Sequence, residues 1–222
     1  MANFSPRRSG GPFGNFGGSA HGPILNLPPM TQVLVLSNLA IHLLRQFIPD
    51  IWDSWLLINF SFIPARYTNL ELFTWTAPFG PISSQFLHGG WMHVLLNMVM
   101  TMIFATAVER AIGGRSMLIL ALVSGALGCL LHFLIYFGDF VPAIGFSGAT
   151  SGLFGATLRL MNRRQHGKDS RQLWIFAAIW VGLSLLPALG GGGIAWAVHV
   201  GGFLAGLLLI DSFDRPRRFR VM

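Results

Sequence analysis

Residues 117–137 read MLILALVSGALGCLLHFLIYF, without one charged side chain. A helix rises about 1.5 Å per residue, so this stretch can cross a hydrocarbon layer about 30 Å thick. Five further apolar runs accompany it, at residues 31–48, 91–108, 147–158, 173–189 and 194–210. Apolar residues lie all round each of these helices, as expected where lipid or another helix covers every face. Of 222 residues, 53% are hydrophobic and 10% charged, with a mean hydropathy of +0.59; soluble domains carry about 25% charged residues. One core of this length cannot cover so much apolar surface. Most soluble folds are thereby excluded, and the chain reads as an all-α integral membrane protein with six spans.

The charges set the organisation. The net charge is +7, but the basic residues are scattered between apolar runs, which suits membrane flanks and not a nucleic-acid face. Thirteen of the 15 Lys and Arg residues fall on one side of a six-span topology: Arg7 and Arg8, Arg110 and Arg115, five between Arg159 and Arg171, and four from Arg215 onward. The positive-inside rule then puts both termini in the cytoplasm. Residues 1–30, rich in Gly and Pro, read as a disordered cytoplasmic tail; 31–212 as the transmembrane domain; 213–222 as a basic cytoplasmic tail. The segment 49–90 becomes an external loop. Its Trp52, Trp55, Phe60, Phe62, Phe73, Trp75 and Phe79 suit the headgroup zone. Cys129 is the only cysteine, so no internal disulfide forms.

Polar groups inside apolar runs are costly and mark candidate sites. They are concentrated in His88-Gly-Gly-Trp-Met-His93-Val-Leu-Leu-Asn97, in Gly145-Phe-Ser147-Gly148 and in Ala197-Val-His199-Val-Gly201-Gly202. Asn97 precedes Glu109, Ser147 precedes Arg159 and His199 precedes Asp211 by the same 12 positions. Each therefore lies ~18 Å above one boundary of the membrane, on helices that run in the same direction. Gly148 and Gly152, like Gly202 and Gly206, make small-xxx-small pairs that let membrane helices approach closely. If those faces meet, Ser147 and His199 come within hydrogen-bond reach, and a neutral imidazole can take the serine proton. His93 and Asn97 share a helix face and, with the Ser147 N–H at a helix start inside the membrane, are candidate oxyanion donors. That helix start also explains why the fourth run is short.

These three motifs, in this order on runs two, four and six, resemble the rhomboid intramembrane serine proteases over residues 31–212. The resemblance implies a six-helix rhomboid-like bundle with a membrane-embedded first loop, Ser147 as nucleophile, His199 as general base, and His93 and Asn97 as oxyanion donors. It also implies transmembrane protein segments as substrates, with the bilayer as the other partner. A bacterial cytoplasmic membrane fits six spans without an added domain. Two departures stand out: the aromatic that the family often carries four residues after the serine is Ser151, and the Trp-Arg pair of its first loop is missing, Arg66-Tyr67 being a poor substitute.

Other readings compete. Gly145-Phe-Ser147-Gly alone is a helix-packing motif, and it lacks the second glycine and preceding strand of a soluble nucleophile elbow. A catalytically silent relative that binds transmembrane clients is the main alternative. An inverted repeat or midplane acid, the marks of a transporter, is lacking. His88, His93 and His199 lack metal-ligand spacing and an inward acid, so neither metal nor cofactor is expected. His88 reads as a fixer of the loop or helix start, and His132 and Cys129 as local packing. His42 and Arg45 read as snorkelling groups, and Glu109 with Arg110 as a cap or surface ion pair.

Overall fold

A computed structural model describes residues 26–164, 170–189 and 195–213. The expected tails at 1–25 and 214–222 lie outside the described residues. The described elements are all helical: α1 (Pro29–Arg45), α2 (Asp50–Phe60), α3 (Ala65–Thr68), α4 (Gly80–Ser83), α5 (Trp91–Ile112), α6 (Gly114–Ile135), α7 (Ser147–Arg164), α8 (Ser170–Leu189) and α9 (Trp196–Phe213). Each apolar run coincides with one of the six long helices. By length and composition α5, α6 and α9 are able to cross a membrane.

The centre of the bundle is the contact of α6, α7 and α9, and glycine makes it possible. A methyl group on Gly202 would overlap the Gly148 carbonyl, and one on Gly206 the Gly152 carbonyl. The two small-xxx-small faces therefore meet backbone to backbone. From α6, Gly128 lies against the Val198 carbonyl, and Ser124 occupies the space beside Gly152. At the far end of the pair, Asp211 accepts hydrogen bonds from Arg159 and Arg163, each at 2.9 Å. The residues 12 positions below Ser147 and His199 are thus bonded to each other, which means α7 and α9 run parallel and in register. Around this contact Leu34, Val94, Met98, Met117, Leu120, Phe146, Leu153 and Ile210 form the main core.

At the helix ends one expectation is corrected and one pair of alternatives is decided. Pro29 and Met30, assigned to the tail, already belong to α1, since proline fits a first helical turn. Of the two readings of Glu109 with Arg110, a cap or a surface ion pair, Glu109 makes the cap. It is buried, and its carboxylate accepts Met30 N (3.0 Å), Thr31 N (2.7 Å) and Thr31 Oγ1 (2.7 Å), capping the neighbouring helix α1. Arg110 instead donates to the Asn26 carbonyl (2.8 Å). Immediately beyond, Gly113 (φ +86°) turns the chain from α5 into α6 in a single residue, a conformation that favours glycine.

The loop 49–90 has a polar centre of its own. Arg66, which sequence reading set aside, is buried and donates to the carbonyls of Ile58 (3.2 Å) and Asn59 (2.8 Å) and to Thr74 Oγ1 and Thr76 Oγ1. These bonds tie the end of α2 to the segment before α4. Ile51, Trp52, Ile58, Leu70 and Trp75 point outward. The loop is fastened to the α6–α7 connection by a reciprocal Phe62–Ala143 backbone pair (3.1 and 2.8 Å) and by Ala65 N to the Asp139 carbonyl (2.9 Å).

The close α7–α9 contact predicts that Gly206→Val destabilises the protein by about 1–3 kcal/mol through overpacking. Gly182→Val, where a Cβ would meet nothing within 4 Å, is the tolerated control. Thermal unfolding of the two variants in detergent checks this; equal midpoints would contradict it.

Candidate active site

Ser147 is the first residue of α7, and the turn before it is held from several sides. Gly145 has φ +110°, and a Cβ there would sit 2.7 Å from His93 Nε2, so only glycine lets the turn pass this close to the imidazole. Gly145 N donates to the Ser84 carbonyl (2.9 Å) and Phe146 N to His88 Nε2 (3.3 Å), while the Phe146 ring is fully buried against Phe86. Burial, followed by the neighbouring His93 ring, holds the His88 imidazole well below its ordinary pKa. A neutral ring can accept the Phe146 N–H. His88 is thus a fixer of the serine turn.

His199 lies in the first turn of α9, whose start is anchored by Trp196 Nε1 donating to Tyr136 OH (2.9 Å). His199 Nε2 and Ser147 Oγ are 2.8 Å apart. His93 and Asn97, one turn apart on α5, line the same cavity as Ser147 and His199, with a volume of about 590 Å³. One amide proton of Asn97 Nδ2 is engaged by the His93 carbonyl (2.9 Å); the group has a second. His93 Nδ1 accepts a long bond from Gly89 N (3.4 Å), which fits the tautomer that carries its proton on Nε2. The N–H of Ser147 belongs to a first helical turn, whose donors have no partner within the helix. All four residues singled out in the sequence are therefore brought together around one cavity. Gln85, Cys129, Gly148 and Val198 also line it, and Cys129 Sγ is 4.0 Å from Ser84 Oγ.

The support behind the cavity includes residues whose part was not read from the sequence. Arg45 does not snorkel. It is buried, bonded to Asp53 through Nε (2.6 Å) and Nη2 (3.0 Å), and it donates from Nη1 to the His88 carbonyl (2.7 Å). The reason is that α2 folds back and supplies the countercharge. His42 is likewise buried, its ring edge-on to Trp91 at 4.7 Å. His132 bonds locally, to the Val141 carbonyl (3.0 Å). The signal available for Arg45 was a charge on an otherwise apolar run, with Asp53 eight positions away.

Ser151, one turn below Ser147, is fully buried and accepts a hydrogen bond from Trp180 Nε1 on α8 (3.3 Å). The Trp180 ring packs on Phe154 (4.9 Å) and edge-on to Phe104 (6.0 Å). The position that often carries an aromatic in the resembling family here fastens α8 to α7. Among the described residues no three His, Cys, Asp or Glu side chains form a metal-binding group.

Comparison with known proteins matches residues 76–213 to the family model described as Rhomboid domain. The chain is similar to "Rhomboid protease GlpG" of Pectobacterium atrosepticum, 28% identical over 194 residues, covering 84% of this chain and 64% of that protein. It is similar to "RHOMBOID-like protein 4" of Arabidopsis thaliana, 32% identical over 133 residues, 58% of this chain and 32% of that protein. A third relative is "Putative rhomboid protease YdcA" of Bacillus subtilis, 30% identical over 139 residues, covering 58% of this chain and 66% of that protein. The chain thus spans less than two thirds of the length of the first two. Given a domain match over more than half of the chain, this membrane protein belongs to the rhomboid family.

Proposed function

We propose that the chain is an intramembrane serine endopeptidase that hydrolyses peptide bonds in or near transmembrane segments of membrane-protein substrates with a Ser147–His199 dyad. The observation that carries this reading is the 2.8 Å separation of Ser147 Oγ and His199 Nε2 at the edge of a cavity. For the serine to donate, the imidazole proton must be on Nδ1, leaving Nε2 as the base. Ser147 Oγ attacks the scissile carbonyl as Nε2 takes its proton; the proton then passes to the leaving amine, and water releases the acyl group by the reverse sequence. Negative charge develops on the carbonyl oxygen, for which Asn97 Nδ2, His93 Nε2 and the Ser147 N–H are the donors.

The membrane arrangement belongs to the same proposal. α1, α5, α6, α7, α8 and α9 are read as six spans, with both termini in the cytoplasm of a bacterial cell and the chain in its cytoplasmic membrane. Support comes from the basic residues on one side of that topology. The outward-facing Ile51, Trp52, Ile58 and Trp75 suit an external loop 49–90 lying in the headgroup zone. No nucleic acid takes part. The substrates are other membrane proteins.

A second reading, a relative that binds transmembrane clients without cutting them, is favoured by one feature: Ser151 bonds Trp180 where an aromatic often stacks beneath the base. The two readings differ in one measurement. A fluorophosphonate probe is expected to label the wild type, and Ser147→Ala and His199→Ala to abolish both labelling and cleavage of a model transmembrane substrate while folding persists. Labelling that survives Ser147→Ala defeats the nucleophile assignment; client retention with neither labelling nor cleavage favours the second reading. If Asn97 stabilises the oxyanion, Asn97→Ala lowers kcat on the order of 100-fold with a smaller change in KM. An unchanged kcat would remove Asn97 from the mechanism.

A further inference from the structure

At the end of the bundle away from the dyad, a groove of about 260 Å³ opens between α7, α8 and α9. Its apolar wall is Leu158, Trp174, Leu207 and Leu208, of which Trp174 is 56% and Leu208 71% exposed. Its polar wall is Arg159, Asn162 and Asp211. Arg159 spends Nε and Nη2 on Asp211, and its Nη1 makes no hydrogen bond among the described residues. Asn162 Oδ1 is buried at the groove without a partner. Since the amide oxygen and nitrogen are interchangeable by a flip, that position can equally present N–H donors. The groove thus offers one unused guanidinium nitrogen, Arg159 Nη1, and one amide with remaining hydrogen-bonding capacity, beside a carboxylate already engaged by Arg159 and Arg163.

Charge and shape limit what such a site takes. The segment 159–171 holds Arg159, Arg163, Arg164, Lys168 and Arg171 against Asp169, and Asp211 across the groove pairs with Arg159 and Arg163, which leaves positive charge in excess. An anion is therefore favoured. The apolar side of the groove continues along the outer surface through Leu204 and Leu208 of α9 and Ile175, Phe176 and Ile179 of α8, all exposed. In a membrane that surface is covered by acyl chains, and Trp174 sits where an indole meets the headgroups. A free inorganic anion uses the arginines and leaves the apolar wall bare. A zwitterionic lipid brings its own ammonium against the guanidinium groups. An anionic phospholipid satisfies both walls.

We propose that this groove binds an anionic phospholipid of the leaflet at the basic end of the bundle, with the headgroup phosphate on Arg159 Nη1 and the Asn162 amide and an acyl chain along Leu208 and Leu204. Such binding bridges α8 to the α7–α9 pair. It is independent of any reaction at Ser147, so it stands or falls separately from the protease reading.

Native mass spectrometry of the full chain, released from detergent with equal amounts of phosphatidylglycerol and phosphatidylcholine, tests the assignment. The expected result is one phosphatidylglycerol retained about tenfold more strongly than phosphatidylcholine, with the preference lost in Leu208→Glu and in Arg159→Gln. Leu208→Glu places a negative charge at an exposed position and leaves the Arg159–Asp211 pair intact; it decides the matter alone if Arg159→Gln does not fold. Equal retention of the two lipids overturns the proposal, as does a preference unchanged in Leu208→Glu. Displacement of the lipid by an equal concentration of inorganic phosphate would mark a simple anion site and also overturn it.

Discussion

The structure depends on α7 and α9 lying parallel, backbone against backbone, in a single register. Glycine permits the approach, because at Gly202 and Gly206 any side chain would occupy the place of a carbonyl oxygen on α7. Polar contacts then mark the two ends: Ser147 with His199 at one, Arg159 and Arg163 with Asp211 at the other. Lipid on the outside gives no hydrophobic incentive for two helices to associate, so close packing and a few polar contacts must do it. A slip of one turn would move partners about 5.4 Å apart. That shift would break both polar contacts at once and bring side chains onto the glycine faces.

Ser147 is delivered to the end of this contact by a turn that owes little to α7 itself. The Gly145 and Phe146 amides are held by the Ser84 carbonyl and His88, and the His88 carbonyl is in turn held by Arg45, whose charge is met by Asp53. The connected path runs from α1 and α2 through the loop to the serine turn. Arg66 braces the same loop from within. Positions far apart in the chain therefore fix one oxygen atom, while α8 is fastened at Ser151 by Trp180.

Much of this was legible in the sequence, for a particular reason. In a membrane run almost every residue is apolar, so Asn97, Ser147 and His199 are visible against a plain background, and the equal distance from each to the next boundary charge carries depth information. The small-xxx-small pairs added which faces meet. Arg45 was misjudged because a charge near a boundary reads as a snorkelling one; for Arg66, and for the helix that Glu109 caps, the sequence held no signal. Their partners, Asp53, the Ile58 and Asn59 carbonyls and the amides of Met30 and Thr31, are set beside them only by the fold. The bond between Ser151 and Trp180 was equally hidden, since an all-round apolar α8 gives no periodicity from which to orient it.

The register of α7 and α9 at the serine is tested most directly by a structure of the protein after reaction with a fluorophosphonate. The account predicts phosphorus bonded to Ser147 Oγ, His199 Nε2 still within hydrogen-bond distance of that oxygen, and the phosphoryl oxygen directed at the Asn97 amide and His93 Nε2. An adduct on another residue, or α7 and α9 displaced so that His199 no longer reaches Ser147, would contradict it.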